Sequence, residues 1–136
     1  MNEASELWQF FPWGYALTVL LEMPILLIGL SPTHSWNRKI FAGFWLTGAT
    51  YPIVVLVLPL LLREVAGEAV YLAVAETFAP LAECLIFWLA FDRRGVMKHQ
   101  APLPDVFRDM AAIVLANLFS FLAGLWLLTV LWPAKN

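Results

Sequence analysis

Charged residues are scarce in this chain. Only 13% of its 136 residues are Asp, Glu, Lys or Arg, and 62% are hydrophobic, whereas soluble domains carry about 25% charged residues. Together with the mean hydropathy of +0.78, this composition indicates a membrane protein. Its expected partner is the lipid bilayer. No cluster of Lys and Arg with interleaved aromatic residues is present, so a nucleic-acid partner is not expected.

Cysteine and the common catalytic motifs are also lacking. The single cysteine, Cys84, excludes an intrachain disulfide, a CxxC pair and a multi-cysteine metal site. The chain has no GxGxxG, Walker A, HExxH or GxSxG sequence. Both histidines, His34 and His99, fall in predicted loops, where we expect them to be solvated. These observations favour a protein that is not an enzyme, and the motifs indicate no known family.

Four apolar runs are present, each reaching about 20 residues, the length that crosses ~30 Å of hydrocarbon. We predict spans over residues 11–30, 40–62, 68–91 and 106–131. Helices are expected because barrel strands would be shorter and would alternate polar and apolar residues. The predicted fold is all-α: one transmembrane domain of residues 1–136, with four helices in an antiparallel bundle.

The basic residues predict the orientation of the bundle. Loops 31–39 and 92–105 lie on one side and hold Arg38, Lys39, Arg93, Arg94 and Lys98. The positive-inside rule places these loops in the cytoplasm and both termini outside, and we expect a bacterial plasma membrane, the cell inner membrane. At the same end, Arg108 and Asp109 are expected to form an ion pair or to start the last helix.

Two glutamates lie inside the third apolar run. Glu76 and Glu83 are seven residues apart, so on a helix they share one face, about 10 Å apart along the axis. Pro80 stands between them, and no Lys, Arg or His lies in this run to neutralise them. Since a carboxylate at bilayer depth costs ~2.5 kcal/mol or more, partners are expected on the other helices.

The two halves of the chain resemble each other. Glu22 in the first span corresponds to Glu83 in the third, and each is flanked by apolar residues. A polar pair spaced three apart follows in each half: Thr47 and Thr50 in the second span, Asn117 and Ser120 in the fourth. This pattern predicts two tandem helical hairpins, related by an axis along the membrane normal.

Seven polar residues are predicted to share the central depth of the bilayer: Glu22, Thr47, Thr50, Glu76, Glu83, Asn117 and Ser120. Oxygen donors suit a hard cation or a proton, so a divalent cation held by Glu22, Glu76 and Glu83 is the one cofactor that we consider. Without a cation, the three carboxylates cannot all be ionised in one place, and at least one should hold a proton.

Three functions remain open from the sequence. The first is binding or transport of a hard cation or proton, which four helices would perform as a homodimer or in a larger complex. The second is a structural or assembly subunit whose glutamates pack as neutral acids or pair with another chain. The third is a membrane-embedded enzyme in which Glu76 and Glu83 act as an acid and base pair.

Overall fold

The computed structural model describes residues 3–98 and 102–131, and all regular structure in these residues is helical. The helices are α1 (Glu3–Gly29), α2 (Trp36–Pro52), α3 (Leu58–Ala66), α4 (Glu68–Phe87), α5 (Arg93–Met97) and α6 (Leu103–Leu131). Single π-helical turns, Ile53–Val57 and Trp88–Asp92, join α2 to α3 and α4 to α5. Four stretches are long and apolar enough to cross a membrane, and we call them the first to fourth spanning helices: Ser5–Gly29, Trp36–Ala66, Glu68–Gly95 and Leu103–Leu127. The predicted all-α membrane fold with four spanning helices is confirmed.

The four spanning helices form a closed ring. Helix α1 packs against α2 and α6, and α4 packs against α2, α3 and α6, so each spanning helix lies beside its neighbours in sequence and the first lies beside the last. Helices α1 and α6 come close at Gly29, where an added Cβ would lie 2.8 Å from the Cβ of Ala112. The buried apolar core lies between the helices and consists of Leu26, Leu30, Ala42, Leu46, Phe87, Ala112, Ile113 and Ala116.

The ends of the helices differ from the predicted spans. Helix α1 begins at Glu3 rather than near residue 11, because the polar lead contains no helix breaker before Pro12 and its acids favour a helix N-terminus. The second spanning helix begins at Trp36, since the side chain of Ser35 accepts a hydrogen bond from Arg38 N–H as an N-cap. The predicted loop 31–39 therefore shrinks to residues 30–35.

The later connections are also shorter than predicted. The third spanning helix continues through the π turn Trp88–Asp92 into α5, and α6 already begins at Leu103. The predicted loop 92–105 is thus helical at both its ends. Between α3 and α4 the chain turns at Gly67, whose φ of 84° lies in a region that favours glycine.

The C-terminus of α1 is capped by two cations from other helices. Lys39 Nζ donates to the carbonyls of Leu27 and Leu30, at 3.3 and 2.7 Å. Arg108 donates to the carbonyls of Ile28 and Gly29, at 3.2 and 2.8 Å. Four carbonyls that a helix end leaves without partners are thereby satisfied, and the positive charges oppose the helix dipole.

The expected ion pair between Arg108 and Asp109 does not form among the described residues. Neighbours on a helix point about 100° apart, so the two side chains leave α6 in different directions. Arg108 reaches the end of α1, whereas Asp109 turns inward to Ser31 and His34.

Candidate functional site

All seven residues predicted at mid-membrane line one cavity of about 130 Å³ between the spanning helices. We call it the glutamate cavity. Thr18, Tyr51, Val54, Ala79 and Phe121 complete its wall. At about 10–15 Å³ for one water molecule, the cavity is roomy enough for several. The sequence pattern therefore selected residues that the fold brings together, and their role in binding stays a prediction.

Two of the glutamates are fully engaged in hydrogen bonds. Glu22, with 2% of its surface exposed, accepts from the hydroxyls of Thr47 and Ser120, both at 2.8 Å. Glu83, 3% exposed, accepts from Thr50 Oγ1 at 2.6 Å and Asn117 Nδ2 at 2.7 Å. Each of the four carboxyl oxygens thus has a side-chain partner, as a polar group at this depth requires.

These contacts follow the predicted repeat. Glu22 bonds the first polar residue of its own hairpin, Thr47, and the second polar residue of the other hairpin, Ser120. Glu83 does the same: Asn117 belongs to its own hairpin and Thr50 to the other. A two-fold axis parallel to the helices would exchange the two sets of contacts. The hydrogen bonds therefore support two related hairpins.

The hydroxyl groups around the two glutamates each have a choice of acceptor. Thr47 Oγ1 lies 2.9 Å from the Gly43 carbonyl as well as near Glu22. Thr50 Oγ1 lies 3.1 Å from the Leu46 carbonyl, and Ser120 Oγ lies 3.0 Å from the Asn117 carbonyl. A hydroxyl has one proton to donate and can also accept. It can therefore donate to an ionised carboxylate, or donate to its own helix and accept from a protonated one.

Glu76 differs from the other two glutamates. It lines the same cavity but is only half-buried, and among the described residues no side chain or backbone group donates a hydrogen bond to its carboxylate. The neighbouring Thr77 hydroxyl donates to the Ala73 carbonyl instead. In the repeat, the position of Glu76 corresponds to Tyr15, so the cavity carries one acid that its symmetry does not duplicate.

A second polar cluster, which the sequence analysis missed, lies where the 30–35 loop meets the third and fourth spanning helices. We call it the histidine cluster: His34, Asp92 and Asp109. His34 Nε2 lies 3.2 Å from Asp92 Oδ1 and 2.9 Å from Asp109 Oδ2. The expectation of a solvated His34 is wrong, because the loop folds inward and leaves the residue 6% exposed. His99 lies outside the described residues.

Hydrogen bonds hold the histidine cluster in place. Asp109 accepts from the backbone N–H of Ser31 and, at 3.1 Å, from the Ser31 hydroxyl. The His34 and Phe87 rings pack in a T-shaped arrangement, with their centroids 5.1 Å apart. Asp92 and Asp109 are 3% and 1% exposed, so a loop, a π turn and the start of α6 bury three ionisable groups together.

The charges in this cluster act strongly on His34. Burial alone would lower its pKa, but the hydrogen bonds and negative charges of Asp109 and Asp92 outweigh burial and raise the pKa from 6.5 to about 9. The Arg38 guanidinium lies 3.4 Å from the other ring nitrogen, Nδ1, and also over the Phe91 ring. At neutral pH the raised pKa favours the imidazolium form of His34, which lies between the Asp92 and Asp109 carboxylates.

The two polar regions differ in their capacity to hold a metal ion. One ligand atom from each member of the histidine cluster lies within 4.8 Å of the others. Within the described parts of the chain, Glu22, Glu76 and Glu83 form no such group. Their joint coordination of a divalent cation therefore stays a prediction, whereas the histidine cluster already has the spacing of a ligand set.

An apolar layer separates the two regions. Glu22 precedes Ser31 by nine residues, and Glu83 precedes Asp92 by nine, which corresponds to about 14 Å along a helix. Leu26, Leu46, Phe87 and Ile113, all in the buried core, fill the intervening level. The glutamate cavity and the histidine cluster are therefore distinct sites at different depths.

Comparisons with known proteins supply no further constraint on these sites. No family model, no curated protein and no solved structure in these comparisons matches the chain.

Proposed function

We propose that this integral membrane protein binds a proton, or a hard cation in its place, in the glutamate cavity and carries it across the bilayer. The observation that supports this function is that the hydroxyls of Thr47, Thr50 and Ser120 each have two possible hydrogen-bond acceptors. Each lies between a glutamate oxygen and a backbone carbonyl. The network can therefore satisfy Glu22 and Glu83 in either protonation state, as a site that takes up and releases a proton requires.

Glu76 is the group through which the bound species would enter or leave. Its carboxylate lines the cavity, is half-buried and accepts no hydrogen bond within the described residues. Glu22 and Glu83 are by contrast closed off by their partners. A proton can pass from Glu76 to water or to a second carboxylate in a cavity of this size without rearrangement of the helices.

A proton is favoured over a metal ion as the bound species. The oxygens of Glu22 and Glu83 already have one partner each, and the three glutamates do not form a group of metal-ligand spacing in the described chain. A hard cation would have to displace hydroxyl and amide donors from these oxygens. The hydroxyl oxygens could then join the carboxylates as ligands, which keeps a hard cation as the second occupant.

Orientation and assembly complete the proposal. The end of the bundle that carries Arg38, Lys39 and Arg108 faces the cytoplasm under the positive-inside rule, so both termini lie outside. Four helices enclose only a short path, and transport would proceed in a homodimer or in a larger complex. If the chain is instead an assembly subunit, or an enzyme that uses Glu76 and Glu83, neutralising either glutamate should leave proton movement unchanged.

Proton flux into vesicles tests the proposal. Purified protein is reconstituted into liposomes that hold a pH-sensitive dye, and flux is driven by a potassium diffusion potential. We expect Glu76→Gln and Glu83→Gln to reduce the flux by at least tenfold, since proton-transfer groups contribute about 10²-fold or more. Glu64→Gln, at an exposed residue of α3, is the matched control and should retain the full flux.

Two further measurements keep the result interpretable. Helicity and elution volume in detergent report whether each variant is folded. The flux is also measured with Na⁺, Mg²⁺ or Mn²⁺ gradients, and dependence on one of these ions would identify a cation as the transported species. Wild-type flux in folded Glu76→Gln and Glu83→Gln proteins would overturn the proposal.

A further inference from the structure

We propose that the histidine cluster is a binding site for a divalent transition-metal ion, with His34 Nε2, Asp92 and Asp109 Oδ2 as its protein ligands. This site is independent of the glutamate cavity and does not rest on the proposed function. One imidazole with two carboxylates is a mixed nitrogen and oxygen set. Such a set suits Zn²⁺, Fe²⁺ or Mn²⁺, whereas Mg²⁺ and Ca²⁺ prefer oxygen ligands alone.

Two of the three distances between ligand atoms in the cluster are close to those around a bound ion. Zinc bonds to imidazole nitrogen and carboxylate oxygen are about 2.0–2.2 Å long, which places two ligands of a tetrahedral ion roughly 3.3–3.5 Å apart. His34 Nε2 lies 3.2 Å from Asp92 Oδ1 and 2.9 Å from Asp109 Oδ2. An ion could therefore take the place of the proton on Nε2 with shifts of a few tenths of an ångström at these two edges.

Asp92 gives the second, independent indication of a ligand. Its Oδ2 atom is buried and has no hydrogen-bond partner among the described residues, although the residue is only 3% exposed. A buried carboxylate oxygen without a partner is costly and calls for an explanation. Because Oδ1 of the same carboxylate faces His34 Nε2, a metal ion in the cluster would lie within reach of this free oxygen.

The surroundings already orient the ligands. Asp109 is fixed by the Ser31 backbone N–H and hydroxyl, which are contacts of the kind that hold carboxylate ligands in metalloproteins. Asp92 ends the π turn Trp88–Asp92, and such turns occur often at functional sites. Two carboxylates and a neutral imidazole carry a charge of −2, which a divalent ion neutralises.

The positive charge of Arg38 is expected to weaken metal binding, and removing this charge gives a specific test of the site. With a metal on Nε2, as in the imidazolium, His34 carries a proton on Nδ1, so the Arg38 guanidinium 3.4 Å away does not donate to that atom in either state. Arg38 is exposed and can turn towards solvent, but its charge repels the ion. Removing this charge should therefore tighten metal binding, whereas a purely structural role for the cluster predicts no such gain.

Zinc binding to the full-length protein tests the site. Protein stripped with a chelator in detergent is titrated with Zn²⁺ by calorimetry, and retained metal is counted by elemental analysis after gel filtration. We expect one Zn²⁺ for each chain. Loss of a group that orients a ligand costs about 10–100-fold in affinity, so we expect His34→Gln and Asp92→Asn to weaken binding by at least about 100-fold. Arg38→Gln should tighten it several-fold.

The controls separate this site from other acids. Asp105→Asn, in the first turn of α6, and Glu76→Gln, in the glutamate cavity, should both bind Zn²⁺ as the wild type does. Asp92→Asn is the decisive variant because the Oδ2 atom of Asp92 has no described partner to lose, and its fold is checked by helicity. No stoichiometric Zn²⁺ on the wild type, or equal binding by folded Asp92→Asn, would overturn the proposal. Loss of binding in Glu76→Gln alone would place the ion in the glutamate cavity and would equally contradict it.

Discussion

The two buried polar regions stabilise their carboxylates in different ways. In the histidine cluster, opposite charges meet directly, with His34 between Asp92 and Asp109. In the glutamate cavity none of the described lining residues is basic, and Glu22 and Glu83 accept hydrogen bonds from hydroxyls and an amide. Fixed charges specify one arrangement, whereas neutral donors accommodate two protonation states. The two proposals follow this difference: the glutamate cavity would take up and release a proton, whereas the histidine cluster would hold a metal ion in one fixed arrangement of ligands.

The regions also differ in symmetry. The contacts of Glu22 and Glu83 are exchanged by the relation between the hairpins, and Glu76 is the one acid of the cavity without a counterpart in the other hairpin. The histidine cluster has no such relation, because it combines a loop residue, the end of a π turn and the second turn of α6. A duplicated pair of hairpins would thus supply the cavity, and later differences between the halves would supply Glu76 and His34.

The largest expected effect comes from removing Asp109. Asp109→Ala leaves the Ser31 N–H without its acceptor and His34 with one carboxylate fewer, and breaking a buried pair costs about 3–5 kcal/mol. We expect a loss of this size in the free energy of unfolding, measured by denaturant titration in mixed micelles. Asp105→Ala is the control. Equal free energies of unfolding for the two variants would show that the histidine cluster does not stabilise the bundle.

The pH dependence of metal-free protein should be the next largest effect. His34 has its pKa raised from 6.5 to about 9, so its contribution is fully present below pH 6.5 and is lost as the pH rises through about 9. At 1.36 kcal/mol for each pKa unit, this rise of about 2.5 in the pKa corresponds to about 3 kcal/mol, and we expect a loss of about that size between pH 6.5 and pH 10.

The comparison that isolates this effect is the His34→Gln variant, unfolded at the same two pH values with a chelator present. Subtracting the free energy of unfolding of His34→Gln from that of the wild type cancels the contribution of the lysines and tyrosines, which both proteins share. A difference that does not change with pH would show that the raised pKa of His34 contributes nothing to the stability of the bundle.

Much of the membrane fold and of the cavity could be predicted from sequence, and the reasons are physical. A polar residue in an apolar run of 20 is conspicuous, and helical rise alone sets its depth, so Glu22, Glu83 and Asn117 could be placed at one level. Ser35 could have indicated the true start of α2, since Ser is a preferred N-cap residue. The depth of a polar residue in a span can therefore be predicted from its position in the sequence, before the packing of the helices is known.

The histidine cluster could not be found in the same way. His34 lies in a loop, and no periodicity shows whether a loop folds over the end of a bundle or into water. The π turn Trp88–Asp92 shifts the helical phase, so counting from Glu83 at 3.6 residues for each turn misplaces Asp92. A signal was nevertheless present: two acids and a histidine at one end of a chain with only 10 acidic residues.

Loss of single hydroxyls should give the smallest effects, and the symmetry of the cavity predicts that they are alike. Thr47→Val removes a donor to Glu22 and Thr50→Val removes a donor to Glu83. Side-chain hydrogen bonds between membrane helices average about 0.6 kcal/mol, so both variants should lose about that much stability. Thr77→Val is the control, since the Thr77 hydroxyl donates to the Ala73 carbonyl of its own helix. A large difference between the two variants would break the proposed equivalence of the hairpins.

Infrared difference spectroscopy of the reconstituted protein tests most directly whether the cavity glutamates exchange a proton. Spectra are recorded between acid and alkaline pH for the wild type and for Glu76→Gln, Glu83→Gln and Glu64→Gln. We predict a carboxylic-acid carbonyl band that changes with pH in the wild type and in Glu64→Gln, and that is diminished in the two cavity variants. Identical difference spectra for all four proteins would show that Glu76 and Glu83 do not exchange protons, and would contradict a proton site in the cavity.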